Sequence, residues 1–193
     1  MSRLGKKPVA LPDKVKAEFK NGILEISGPN GKLSQVIDKK IAVKVDKNSV
    51  LFEALGESRE HNMMHGLYRG LANNMVEGVT KGFKKELEIV GLGYKANIEG
   101  GKNLVMSVGF SHTVTLEIPS TVKVTAVLTP DKNTLVTVTG VDKYEVGAFA
   151  AKVRAVKTPE PYKGFGVRYV GEHIIRKEVR RSEERRVGKE CRS

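Results

Sequence analysis

Between residues 158 and 169 the chain reads Thr-Pro-Glu-Pro-Tyr-Lys-Gly-Phe-Gly-Val-Arg-Tyr, and residue types in this order suit contact with a nucleic acid. Pro159 and Pro161 stiffen an extended entry, because the ring fixes φ. Gly164 and Gly166 carry no side chain, so another backbone can come close. Lys163 and Arg168 supply cations for phosphate oxygens, while Tyr162, Phe165 and Tyr169 offer ring faces on which bases or riboses stack. The competing reading is a surface loop whose rings pin it to its own domain.

The distribution of charge favours the first reading. The 193 residues hold 34 Lys and Arg against 22 Asp and Glu, a net charge of +12. Such a surplus suits a polyanionic partner, either nucleic acid or an anionic membrane surface. Residues 1–16 contribute +4 through Arg3, Lys6, Lys7, Lys14 and Lys16 against Asp13, whereas residues 17–151 together add only +1. Residues 152–168 add another +4 through Lys152, Arg154, Lys157, Lys163 and Arg168 against Glu160, and residues 172–193 add +3. One charged run is ordinarily a solvated face. Three of them flanking a neutral body fit phosphate binding, in which clustered cations displace condensed counterions.

Other chemistries find little support. No run of 18 apolar residues is present and the first 30 residues lack the apolar core of a signal peptide, so the chain reads as cytosolic, with no membrane partner. Cys191 is the single cysteine, which rules out an internal disulfide and a thiolate zinc site. His61 and His65 stand four apart, the spacing of a metal pair on a helix, yet residue 62 is Asn and no third ligand is evident. His112 and His173 have no partner set. Gly91-Leu92-Gly93-Tyr94 lies between two strands and lacks a third glycine, so it suits a turn or close packing rather than a dinucleotide loop. No nucleophile elbow or general acid/base pair stands out, and neither a cofactor, a metal nor a small-molecule substrate is implied.

The elements that must position the 158–169 segment follow from periodicity. The arm at 1–16, with Pro8 and Pro12 among lysines, reads as extended. Short alternating runs at 23–26, 33–37, 41–45 and 50–53 read as strands with one buried face, and Gly28-Pro29-Asn30-Gly31 marks a tight turn. Ser58 then suits an N-cap, and Met64, Leu67, Tyr68, Leu71, Ala72, Met75 and Val79 follow at helical spacing until Gly82. The order recurs: strand-like runs at 86–90, 94–98, 104–108, 112–118, 122–127 and 135–139, with turns at Gly100-Gly101 and 130–133, precede a second helix. That helix opens with Asp142-Lys143-Tyr144-Glu145, a capping arrangement, and presents Val146, Phe149, Ala150, Val153 and Val156 before Thr158-Pro159 ends it. The expected class is α+β, two similar domains, each an antiparallel sheet covered on one face by one helix. The expected division is a basic arm at 1–16, a first domain at 17–82, a second, RNA-binding domain at 83–171 and a basic tail at 172–193.

Three separated stretches also resemble one family. Pro159-Glu160-Pro161-Tyr162-Lys163-Gly164 with the following Arg168-Tyr169 is similar to the signature of the large-subunit ribosomal protein number six family. Ser2-Arg3-Leu4-Gly5-Lys6-Lys7-Pro8-Val9 resembles that family's start, and 65–71 with Asn74-Met75-Val76 resembles its first-domain helix. The resemblance spans about residues 2–178. It implies a non-enzymatic structural constituent of the large ribosomal subunit, in the cytoplasm, with two related domains. It further implies binding to large-subunit ribosomal RNA near the sarcin-ricin loop, beside neighbouring ribosomal proteins and the docking region of translational GTPases. Carried across by position, the implied contacts are Pro159, Tyr162, Lys163, Gly164, Gly166, Arg168, Tyr169, Arg176 and Lys177. Charge adds Lys152, Arg154, Lys157, Arg3, Lys6 and Lys7. Phe165 stands where the family carries a basic residue, which leaves stacking or packing at that place. Residues 179–193 depart from the family's short terminus and read as a sequence of foreign origin, with an RNA-binding extension as the rival reading. The alternative function is a basic scaffold docking on acidic proteins, which would show only a modest salt dependence.

Overall fold

A computed structural model describes residues 5–46, 48–129 and 133–177. Arg3, the first three residues of the 130–133 turn, and the tail from residue 178 with Cys191 lie outside the described residues.

Alternating burial turns the first third of the chain into strands β1 (Val9–Ala10), β2 (Lys16–Lys20), β3 (Ile23–Gly28), β4 (Gly31–Val36), β5 (Ile41–Val45) and β6 (Ser49–Ala54), followed by α1 (Arg59–Thr80). They pair as two three-stranded sheets, β2-β3-β4 and β1-β6-β5. Gly28 faces Gly31 across the β3–β4 hairpin, leaving Pro29-Asn30 as its two-residue loop. The arm is more ordered than its composition suggests, since Val9 pairs with Val50 and Lys16 with Ser27. The core joins Leu24, Ile26, Ile41, Val50 and Phe52 from the strands to Ala72, Met75, Val76 and Val79 of α1. Each large apolar side chain buried there contributes about 1.5–3 kcal/mol relative to exposure, which holds α1 on its sheets.

The helix ends obey local chemistry. Ser58 Oγ accepts the His61 N–H at 3.4 Å, and Gly82, at φ +75°, donates its N–H to Gly78 O at 3.0 Å. The buried stripe differs from its spacing in one respect. Leu67 is exposed, while His65 is wholly buried and its Nε2–H donates to Phe52 O at 2.9 Å. His65 therefore ties α1 to β6. His61 contacts Ser58 Oγ at 2.6 Å, and among the described residues no three His, Cys, Asp or Glu side chains gather as a metal site.

Further strands precede the second helix: β7 (Phe83–Val90), β8 (Lys95–Glu99), β9 (Asn103–Ser107), β10 (Val114–Glu117), β11 (Val122–Leu128) and β12 (Thr134–Gly140). Then come α2 (Lys143–Val156) and a short strand, β13 (Gly166–Tyr169), where the sequence suggested only an extended segment. The sheets are β10-β9-β8 and β11-β12-β7-β13. Among the described residues the α+β class with two helices holds, and each half of the chain divides its strands between two sheets. The capping of α2 is half of the expected box: Asp142 Oδ1 accepts the Tyr144 N–H at 2.8 Å, but the Glu145 carboxylate accepts the Thr121 hydroxyl. By compactness the chain divides into two units. One takes the described residues up to 85 with Ile118–Thr125 and Thr137–Ala150, and the other takes Glu86–Glu117, Ala126–Val136 and the described residues from 151.

Candidate nucleic-acid interface

The second unit carries most of the candidate contacts. Beyond α2 the chain closes a small loop on itself: Glu160 N–H donates to Phe165 O at 2.9 Å, and Gly164 N–H to Glu160 O at 3.0 Å. Gly164, at φ +77°, makes that closure possible. The chain then enters β13, which pairs antiparallel with β7, Gly166 opposite Val90 and Arg168 opposite Glu88. Gly166 has φ +141°, and a Cβ there would lie 2.8 Å from both Pro159 Cα and Thr158 O. The missing side chain lets the chain pack closely on itself there.

The cations divide into two sets. Arg168 is held at home, its Nε and Nη2 donating to Glu88 Oε2 at 3.0 and 2.8 Å, with both side chains about three-quarters covered. Arg154, in the last turn of α2, likewise grips Glu172 through Nε and Nη2 at 3.1 and 2.5 Å and lies 5.9 Å from the Tyr169 ring centroid. That guanidinium, aided by the Tyr169 N–H, holds the Glu172 carboxyl below the usual carboxylate range, and Glu172 in turn raises Arg154. Tyr169 is therefore flanked by an internal cation, and Arg154, Arg168, Gly166 and Tyr169 brace the loop.

The other set faces water. Lys152, Tyr162, Lys163, Arg176 and Lys177 are exposed. Lys177 N–H donates to Pro161 O at 2.8 Å, and the Arg176 guanidinium reaches within 3.6 Å of the Cβ position at Gly164. The closing stretch of the described chain thus lies along the Pro161–Gly164 turn and adds two cations beside Lys163. None of these three makes an ion pair among the described residues. Unneutralised cations on one turn make a local positive potential suited to phosphate. In the first unit, Lys6 and Lys7 are exposed, and Lys7 O accepts from Arg69 Nε at 3.3 Å.

Comparison with known proteins decides the family. The family model described as Ribosomal protein L6 matches residues 11–82 and 90–170. The chain belongs to the ribosomal protein L6 family. It is 48% identical over 177 residues to the large ribosomal subunit protein uL6 of Natranaerobius thermophilus, covering 92% of this chain and 97% of the relative. Proteins of the same name from Christiangramia forsetii and Synechococcus are 46% and 47% identical over 177 residues, covering 92% of this chain and 97% and 96% of the relative.

Three residues near this family's signature were not singled out from sequence as binding groups. Tyr94 lines a cleft with Lys157, Pro159, Pro161 and Phe165, and Phe110 stacks on His112 with centroids 5.7 Å apart and planes at 15°. The available signal was glycine: Gly91 and Gly93 precede Tyr94 and Gly109 precedes Phe110, and a glycine lets a neighbouring ring pack closely on the backbone.

Proposed function

We infer that this chain is a structural constituent of the large ribosomal subunit, working in the cytoplasm as part of the ribosome, and that it acts by binding rather than by catalysis. The observation that carries the reading is family membership over most of the chain together with the exposed cations Lys163, Arg176 and Lys177, which make no ion pair among the described residues and lie on or beside one turn. In this reading the RNA interface is the exposed set Lys152, Tyr162, Lys163, Arg176 and Lys177 with the half-buried Lys157, and Lys6 and Lys7 form a separate contact of the arm. Arg154, Arg168, Gly164, Gly166 and Tyr169 act behind it as supports. Phosphate contacts set position and orientation, while stacking and RNA shape supply selectivity. The partners are large-subunit ribosomal RNA and neighbouring ribosomal proteins, and the resemblance of the 159–169 signature supports a site near the sarcin-ricin loop, beside the docking region of translational GTPases.

Sedimentation of a tagged chain through sucrose gradients of bacterial lysate tests the reading. Comigration with large subunits that persists until salt is high is the expected result. Recovery in the light fractions alone would reject stable membership in the subunit and favour a scaffold for acidic proteins.

A further inference from the structure

The 91–94 turn, the 109–112 turn and the loop after α2 bring rings and a cation together beside the basic turn. Tyr94 is fixed from two sides: a Cβ on Gly91 would lie 2.5 Å from its Cδ2, and one on Gly109 would lie 2.8 Å from its hydroxyl oxygen. A side chain at either position would displace the ring, which packs directly on both turns. Tyr94, Lys157, Thr158, Pro159, Glu160, Pro161 and Phe165 then line an open cleft of about 430 Å³. At its rim Lys157 Nζ sits 4.8 Å from the Phe110 ring centroid, and Phe110 carries the near-parallel His112 ring. Phe110 and Tyr162 remain 41% and 49% exposed, and Leu92 on the neighbouring turn is 95% exposed.

Ring surface left in water on neighbouring turns is available to a partner. The partner's chemistry follows from the groups present. Ring and proline faces accept a flat group, and Lys157, which shares the lining with the Glu160 carboxylate, accepts a negative charge at the Phe110 side of the cleft. A flat ring carrying an adjacent phosphate is a nucleotide. In a duplex the base faces are already stacked on one another, so the cleft suits a nucleotide whose base is out of the stack.

We propose that the cleft formed by Tyr94, Lys157, Pro159, Pro161 and Phe165, with the Phe110–His112 pair at its rim, receives one unpaired, extruded nucleotide of the bound RNA. The base lies against the rings and its phosphate against Lys157. This rests on the RNA-binding reading above and adds the form of RNA that the site selects.

The chain contains no tryptophan, so Phe165→Trp places a single indole in the cleft as a reporter. The probe is deproteinised large-subunit RNA from a bacterial ribosome, titrated against the full chain. The expected result is quenching of the indole fluorescence on binding. In the otherwise unaltered chain, Phe110→Ala with His112→Ala should weaken affinity by about 5-fold or more, the lower end of what one stacked base contributes. The slope of affinity against salt should stay the same, because no phosphate contact is removed. Full affinity in the double variant and an unquenched indole in the Phe165→Trp chain, while Lys163→Ala still weakens binding, would overturn the proposal and leave the RNA reading standing. Failure of the unaltered chain to bind the RNA at all would overturn both. Equal quenching by RNA-free proteins stripped from the subunit would give the cleft to a protein side chain and overturn it as well.

Discussion

Replacing Arg168 with Ala separates a brace from a contact. Its guanidinium donates twice to Glu88 Oε2, while Glu88 Oε1 accepts from Asn133 Nδ2 at 2.9 Å. The two partners also sit directly opposite in the β7–β13 ladder, where a cross-strand pair counts most. Their side chains are 27% and 26% exposed. Fully exposed pairs contribute about 0–1 kcal/mol, and breaking a fully buried pair costs about 3–5 kcal/mol because a charge is stranded. A quarter-exposed, two-pronged pair falls between, at about 1–2 kcal/mol. For a chain of this size each 1 kcal/mol moves the melting temperature by about 2–4 °C, so Arg168→Ala should lower it by about 2–8 °C. Calorimetry and titration of ribosomal RNA at several salt concentrations, on the same preparation, measure both sides. The salt slope should not change, since no phosphate contact is lost. Lys163→Ala should do the reverse: an unchanged melting temperature, weaker binding and a slope shallower by about one unit. An Arg168→Ala chain that melts normally and loses about one unit of slope would refute the reasoning and return Arg168 to the phosphate contacts.

Other consequences follow from the same packing. Gly166→Ala forces a side chain into a backbone conformation that suits glycine and against Pro159 Cα and Thr158 O, and should cost about 3 kcal/mol or more, read by urea unfolding. His65→Ala removes a wholly buried ring and leaves Phe52 O without its donor, so a loss of about 2–4 kcal/mol is expected in the same assay. Glu172 carries a depressed carboxyl in the fold. Its contribution is therefore complete above the unfolded value of about 4.3 and is lost as pH falls through the lower folded value. Stability of the unaltered chain minus that of Glu172→Gln should accordingly shrink as pH drops below about 4, and a constant difference down to the acid transition would contradict the Arg154–Glu172 geometry.

The parts of the fold legible in sequence were those set by local chemistry. Ser58 and Gly82 bounded α1 because capping depends on a few adjacent residues, and period-two burial marked the strands from β3 to β12, whereas β1 and β2 lay in a stretch whose lysines and prolines suggested only an extended arm. β13 was hidden because Pro159, Pro161, Gly164 and Gly166 write a loop composition around a four-residue strand whose pairing with β7 is a long-range event. Glu145 read as half of a capping box, yet Thr121, 24 residues away, takes its carboxylate. The same limit governed the candidate site. Segment charge located the basic stretch from 152 onward, but it treats all cations alike. Glu88 lies 80 residues from Arg168, and Glu172 lies 18 from Arg154, so only tertiary structure divides braced cations from presented ones. Tyr94 and Phe110 join the Lys157–Phe165 loop through folding of the β8–β10 region, and no linear spacing relates them.

In the proposed function, cations presented on the loop after α2 and the stretch beside it hold ribosomal RNA. Its most direct test is the salt dependence of RNA binding by a chain in which Lys157, Lys163, Arg176 and Lys177 are all changed to Ala. If these four meet phosphates, affinity falls and the logarithmic salt slope becomes shallower by about 3, at about 0.7–0.9 per contact, while the melting temperature holds. An unchanged slope in a folded variant would contradict the account and place the RNA contact elsewhere on the molecule.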